Sequence, residues 1–358
     1  MPAHPKRVLW WGRFDPEYSR NRILRDAFTA LGWESRAFRP LASALGALEA
    51  RLRWLPTPEL VFVPCFRQRD IAAARRFSRA RGVPLLVDPL ISAYDKQVSE
   101  RAKFPEQSPP ARRLLRWEQG LLQSADAVLA DTPAHARFFG ETLGVPATKL
   151  HVVPVGAEES LFRPAPHPPN EPIEVLFFGS FLALQAPEVI IAAARRYRGP
   201  PVRWRLIGRG PLLAGCRALA AGLADVEFQD WLPYAQLPGA IQRADILLGV
   251  FGASAKAGRV IPNKVFQALA CGQPLITRAA PAYPTELAAD PASGIAWVPP
   301  NDPAALADAV QALAERPDRL SDLGARARKS YERYFSAGRI VADLGAALAA
   351  LRLIPARE

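Results

Sequence analysis

Lys264 follows Pro262-Asn263 at the head of a helical run ending near Ala270. The N-terminus of a helix carries partial positive charge, so a cation placed there opposes the dipole. An anion such as a diphosphate, lying between lysine and helix, converts that opposition into joint attraction. The plain alternative is a solvated lysine. Arg259 precedes the same helix and offers a second cation, and Gln267 lies one turn beyond Lys264. Two glycine turns have the complementary property. Gly179-Ser180 and Gly208-Arg209-Gly210-Pro211 each follow an apolar run and precede a helix, where backbone N–H groups can approach a phosphate. A βα turn without a ligand also favours glycine. Trp231 follows a third such run.

The first half offers a different set. Gly12-Arg13-Phe14-Asp15-Pro16 turns the first apolar run, and Arg20 and Asn21 follow it closely. Arg13 and Arg20 could meet an anionic ligand. Asp88, Ser92 and Asp95 lie after another strand end and could hold ligand hydroxyls. Ordinary turn and cap chemistry explains such residues equally well.

These residues need a frame that brings strand ends together. Short apolar runs at 8–11, 60–63, 85–87, 127–130 and 152–153 alternate with helical runs at 22–31, 70–81, 114–123 and 133–143. After the proline-rich stretch 163–172 the alternation restarts, with strands predicted at 174–178, 202–207, 226–228, 246–250 and 274–277. Alternating strands and helices predict parallel sheets covered on both faces. The fold class is therefore α/β, with two Rossmann-like domains facing a cleft. The first spans 1–163, 164–172 is a linker, and the second spans 173–335. A C-terminal helix at 337–353 is expected to pack back on the first domain. Ligands of such sheets bind at the carboxyl ends of the strands.

The chain has 358 residues, enough for two domains, and a formal net charge of +12. The excess is +8 up to residue 165 and +4 beyond it. This balance suits an anionic partner, such as a nucleotide or a membrane surface, although coding bias toward arginine gives the same composition. Arg75, Arg76 and Arg79 in one helix, and Arg112-Arg113 with Leu114, Leu115, Arg116 and Trp117 in another, are the basic amphipathic runs for peripheral contact with anionic lipid. The arginines are otherwise dispersed, which argues against nucleic acid. Cys65, Cys216 and Cys271 are scattered, and only four histidines occur, so no metal cluster is expected. The first apolar run is too short for a signal peptide and no run is long enough to span a bilayer, so a cytoplasmic location is expected, possible contact being with the inner face of the membrane.

Several of these segments, in this order, resemble the retaining GT-B glycosyltransferases of family 4. Ala130-Asp131-Thr132-Pro133 and Val152 to Ala157 with Phe162-Arg163-Pro164 are similar to that family's interdomain stretch. Leu206 to Pro211 is similar to its second-domain glycine turn, and Gln267-Ala268-Leu269-Ala270-Cys271-Gly272-Gln273-Pro274 to its most specific motif. The resemblance covers almost the whole chain. It implies transfer from a nucleoside diphosphate sugar to a hydroxyl of a glycan or lipid-linked acceptor, with retention and with no metal or other cofactor. It also implies a role in bacterial glycan, polysaccharide or glycolipid assembly.

The departures from the family bear on the site. The family's two glutamates, eight positions apart, are replaced by Arg259 and Gln267, and its basic pair after the first glycine turn by Phe181 and Gln185-Ala186. Lys264 and Arg259 are then the candidate stabilisers of the leaving diphosphate. Pro262, Asn263, Gln267, Gly179, Ser180, Gly208, Gly210 and Trp231 are the candidate donor contacts, and Gly12, Arg13, Arg20, Asn21, Asp88, Ser92 and Asp95 the acceptor-side candidates, Arg13 and Arg20 for a donor phosphate or an anionic acceptor. Two alternatives stay open: a relative that binds a sugar nucleotide without transferring it, and a sugar-nucleotide epimerase, for which this histidine-poor chain offers little.

Overall fold

The computed structural model describes residues 5–165 and 167–355; Pro166 of the predicted linker lies outside them. The chain divides into two compact units, one made of the segment up to Val155 with the segment from Ala337 onward, the other of Gly156–Ser336.

In the first unit the strands are β1 (Lys6–Trp11), β2 (Trp33–Phe38), β3 (Leu60–Val63), β4 (Leu85–Val87), β5 (Ala127–Ala130) and β6 (Leu150–Val152). They form one parallel sheet in the order β2-β1-β3-β4-β5-β6. Its helices are α1 (Ser19–Ala30), α2 (Gly46–Leu52), α3 (Ile71–Arg81), α4 (Pro109–Ser124) and α5 (Pro133–Glu141). The central strands β3 and β5 are buried along their whole length, as both faces of a covered parallel sheet require. Trp10 stands edge-on to Phe62 and Phe28 on one face, while Trp11 packs with Phe38 and Phe77 on the other.

The second unit repeats the plan. Its elements are β7 (Ile173–Phe178), α6 (Pro187–Arg196), β8 (Val202–Ile207), α7 (Leu213–Leu219), β9 (Val226–Gln229), α8 (Leu237–Arg243), β10 (Ile246–Leu248), α9 (Ala255–Arg259), α10 (Asn263–Ala270), β11 (Leu275–Arg278), α11 (Thr285–Ala289), β12 (Ile295–Val298), α12 (Pro303–Ala314) and α13 (Leu320–Tyr334). The parallel order is β12-β11-β10-β7-β8-β9. The final helix, α14 (Ala337–Ala350), belongs to the first unit, where Ile340, Leu344 and Leu348 join Leu24, Phe28 and Trp10 in one cluster.

The structure corrects the sequence reading at three places. Each sheet has one strand more than predicted, and both additions, β2 and β12, are edge strands. β2 reads Trp-Glu-Ser-Arg-Ala-Phe with only its ends buried, so it lacks the apolar run that marks an inner strand. The division between units falls at Val155/Gly156 rather than at 163. Phe162 packs edge-on to Tyr234, and the Tyr331 hydroxyl bonds Ala157, which draws residues 157–162 into the second unit. Arg163 and Asn170, on either side of Pro166, are tied to the second unit. Asn170 donates to Arg243 O and to the Asp245 carboxylate, each at 2.8 Å, and Gln242 donates to Arg163 O at 2.7 Å.

Candidate functional site

In an open parallel sheet the ligand crevice opens where the strand order reverses, outside the carboxyl ends of the strands. In the second unit that point lies between β7 and β10. Gly179 leaves β7 there, and Phe251 follows β10. Gln185 joins the two loops: its carbonyl accepts from Phe251 N–H at 3.2 Å, and its side-chain oxygen accepts from Lys264 Nζ at 2.7 Å. Three segments thus meet at one amide side chain: the turn after β7, the exit from β10, and the first turn of α10.

Lys264 is buried, and its Nζ lies 3.6 Å from the centre of the Phe177 ring. Among the described residues no carboxylate forms an ion pair with it. Burial holds its ammonium well below the usual lysine range. A buried cation carries a large desolvation cost unless an opposite charge compensates it. Here the partners are an amide oxygen and ring faces, and among the described residues no opposite charge compensates it. Gly179 keeps the space open: at φ +140° a Cβ would stand 3.2 Å from Lys264 Nζ and 2.9 Å from Gln185 Oε1. Pro262 is the N-cap of α10 and makes no side-chain cap bond, while Asn263 is half-buried at the first helical position.

The other donor-side candidates differ in their surroundings. Gly208 and Gly210 are explained by packing. A Cβ on Gly208 would stand 1.9 Å from Gly179 O, and one on Gly210 2.6 Å from Phe181 N and O. The two βα turns interlock, Phe181 N–H donating to Arg209 O at 2.9 Å. These glycines therefore give no separate sign of a phosphate. Gln267 is buried, and its Nε2 lies 3.5 Å from the Tyr234 hydroxyl, which in turn donates to Glu158. Trp231 is 50% exposed with the Arg209 guanidinium 5.4 Å over its ring, leaving a flat apolar surface near the ends of β8 and β9. Ser180 is half-buried beside Gly179, and Arg259, also half-buried, ends α9.

Gln185, Tyr234, Glu158 and Arg278 were not among the predicted site residues. Arg278 ends β11, is buried, and donates to Ala279 O at 3.2 Å and to Gly252 O, fixing the loop that leads to α9. Burial lowers its pKa as well. The only signal for Gln185 was its place in the family's basic pair. Nothing in the sequence connects Glu158 with Tyr234 across 76 positions.

The acceptor-side candidates look different in the structure. Arg20 is fully buried. Its Nε bonds Asp88 Oδ2 at 2.9 Å, and its Nη1 donates to Val153 O and Pro154 O at 2.9 and 2.6 Å. It ties the end of β4 to the chain leaving β6 rather than offering an open guanidinium. Asp88 is buried with it, and burial raises its pKa against the lowering effect of Arg20. Asn21 is buried too, donating to Asp15 O at 2.7 Å and accepting from Cys65 Sγ at 3.2 Å. Ser92 donates to the Glu118 carboxylate at 2.7 Å, and the same carboxylate accepts the N–H groups of Ala93 and Tyr94. Asp95 is buried and donates its N–H to Ser92 Oγ at 3.1 Å. Glu118, on α4, was missed by sequence reading, yet it organises this turn. Only Arg13 of the set is exposed. At Gly12 (φ +128°) a Cβ would stand 2.9 Å from Asp70 Oδ2, so its freedom serves the Arg67–Asp70 pair.

Among the described residues no group of three His, Cys, Asp or Glu is placed to hold a metal ion, and no helix is long and apolar enough to cross a membrane.

Two family models match the chain: "Glycosyl transferase 4-like domain" over 11–156 and "Glycosyl transferases group 1" over 172–316. The D-inositol 3-phosphate glycosyltransferase of Nocardia farcinica is 32% identical over 231 residues, 59% of this chain and 49% of that protein. Its counterpart in Segniliparus rotundus is 30% identical over 302 residues, 77% of this chain and 64% of that protein. The chain therefore spans less than two thirds of the length of either. Among solved structures, sucrose-phosphate synthase from Thermosynechococcus elongatus superposes with a TM-score of 0.74 at 19% identity, covering 97% of this chain and 99% of that one. Anabaena HepE in complex with UDP superposes at 0.72 with 16% identity, covering 96% and 100%. Two parallel six-stranded sheets, two domain models that together take in most of the sequence, and these relatives lead to one assignment: the chain belongs to the GT-B glycosyltransferases of the family 4 type.

Proposed function

We propose that this protein transfers a glycosyl group from a nucleoside diphosphate sugar to an acceptor hydroxyl, with retention at the anomeric carbon and without a metal ion. The observation that carries the reading is Lys264: a buried cation without a carboxylate partner, at the N-terminus of α10 and at the point of strand-order reversal. As the bond from the anomeric carbon to the donor phosphate breaks, charge grows on the departing diphosphate. Lys264 and the first-turn N–H groups of α10 stabilise that charge, with Arg259 as the second cation. The acceptor oxygen forms its bond on the face the diphosphate leaves, and a departing phosphate oxygen takes the acceptor proton. No side-chain base is needed in that scheme. Gly179 and Ser180, with Asn263, line the diphosphate side, and Trp231 offers a face for a base or sugar ring. HepE, solved with UDP and with UDP-glucose, supports a uridine nucleotide as the first donor to test.

The acceptor is proposed to be a glycan or a lipid-linked hydroxyl in bacterial polysaccharide or glycolipid assembly, met in the cytoplasm at the inner face of the membrane. The curated relatives named for D-inositol 3-phosphate make a phosphorylated polyol a second acceptor class to include.

One observation favours a second reading, a binder that does not transfer. The positions of the family's glutamate pair carry Arg259 and Gln267, and Gln267 is engaged by Tyr234. Incubation with UDP-sugars and a panel of acceptors, in the presence of a chelator, separates the two. Release of UDP that depends on acceptor supports transfer. Saturable UDP binding with neither release nor hydrolysis, across several sugars and acceptors, supports the binder.

A further inference from the structure

The first unit carries a run of exposed apolar side chains along the segment that follows β2. Leu48 and Leu52 lie one turn apart on one face of α2, Leu45 closes the short 3-10 turn that runs into it, and Leu41 precedes that turn. All four are exposed, Leu45 at 59%, Leu48 at 57% and Leu52 at 69%, and Trp54 beside them reaches 88%. The opposite face, Gly46 and Ala50, is buried against the unit. Five large apolar side chains in one short stretch are more than the scattered exposure a soluble surface carries, and such patches mark contact sites.

The rim of this stripe is cationic. Arg51 and Arg53 belong to the segment itself. Arg76 reaches it from α3 through Ala44 O at 2.8 Å, and Arg81 through Leu55 O at 3.2 Å. The one acid between residues 36 and 58, Glu49, accepts the Leu41 N–H at 2.8 Å and pairs with Arg53. Apolar side chains flanked by arginines, with a tryptophan at the margin, are what an anionic bilayer surface takes up: leucines enter the acyl boundary and guanidiniums stay with the headgroups. A second copy is a poorer occupant. In a two-fold contact the same patch faces itself, which sets the arginine rims against each other.

We propose that the α2 stripe, Leu41, Leu45, Leu48, Leu52 and Trp54, rimmed by Arg51, Arg53, Arg76 and Arg81, is a membrane-docking surface for anionic lipid. It gives the proposed membrane contact a surface different from the one read in the sequence. Arg76 and Arg81 of α3 join Arg51 and Arg53 in its rim, α2 and the residues flanking it supply the inserted face, and the 112–117 run is not part of it.

Sedimentation with phosphatidylglycerol–phosphatidylcholine vesicles, compared with phosphatidylcholine alone, tests the inference without donor or acceptor, so its failure leaves the transfer reading standing. The wild-type chain is expected to sediment with the anionic vesicles and to be released as salt rises. A triple variant, Leu48→Gln with Leu52→Gln and Trp54→Ser, should bind about tenfold more weakly or worse while melting at the wild-type temperature, since the residues are exposed. Arg51→Gln with Arg53→Gln should remove most of the preference for anionic lipid. The proposal is overturned by a wild-type chain that stays in the supernatant at low salt, or by a triple variant that binds as the wild type does. It is also overturned by a wild-type dimer in light scattering that the triple variant dissolves, which makes the stripe a contact between copies.

Discussion

The Nζ of Lys264 lies 2.7 Å from the side-chain oxygen of Gln185, whose own carbonyl accepts the Phe251 N–H. The family places a basic pair after the first glycine turn. Here that stretch carries a neutral amide, and the cation arrives from α10 instead. A basic group still lies near Gly179, but it is a buried one, and among the described residues no acid pairs with it.

If Lys264 stabilises the leaving diphosphate, Lys264→Ala should lower acceptor-dependent transfer by about 100-fold or more. Steady-state turnover measures this. Activity within a few fold of wild type removes Lys264 from the chemistry.

The same burial makes a stability prediction of opposite sign. The folded pKa of Lys264 is depressed, so between that value and the unfolded lysine pKa the unfolded chain binds more protons. Lys264 therefore costs stability at pH values below its unfolded pKa, most of all below the folded one, and the cost disappears as pH rises through that window. Lys264→Met should raise the melting temperature of the free protein at neutral pH by about 2–4 °C, and UDP should then stabilise it far less. A melting temperature that falls shows that the ammonium already has a compensating partner.

Anion binding should return the Lys264 pKa toward its ordinary range. Between the free and bound values, UDP binding then takes up a proton, and affinity weakens as pH rises through that interval. Calorimetry in two buffers of different ionisation enthalpy reads the uptake directly. Equal heats in both buffers, in wild type and in Lys264→Met alike, mean that Lys264 does not titrate with the ligand.

Arg259 and Gln267 stand where the family has glutamates. Arg259→Glu with Gln267→Glu should weaken UDP binding by about tenfold or more through repulsion of the diphosphate, or shift the preferred nucleotide. Unchanged affinity for the preferred donor shows that neither side chain reaches it.

The buried Arg20–Asp88 pair predicts a purely structural effect. Arg20→Met leaves Asp88 buried without its partner and should cost about 3–5 kcal/mol, read by denaturant unfolding. The double variant Arg20→Met with Asp88→Leu should recover much of that loss. A single variant as stable as wild type means that Asp88 is already protonated in the folded protein.

The sequence alone determined the alternation of strands and helices, because short apolar runs between turns have few other ways to be buried. It also set the helix start at Pro262 and the glycine turn at 179, since both depend on residues adjacent in the chain. It did not reveal the edge strands β2, whose middle is polar, and β12, whose four apolar residues are buried only at its two ends. Nor did it separate Arg20 from Arg13, one buried on Asp88 and the other exposed, because the difference lies 68 positions away in the chain. Gln185 and Lys264 are 79 residues apart and meet only because β7 and β10 are neighbours in the sheet. Local chemistry is written in short-range spacing. Which charged group is paired, buried or left waiting for an anion depends on long-range packing, and the tertiary structure decided it.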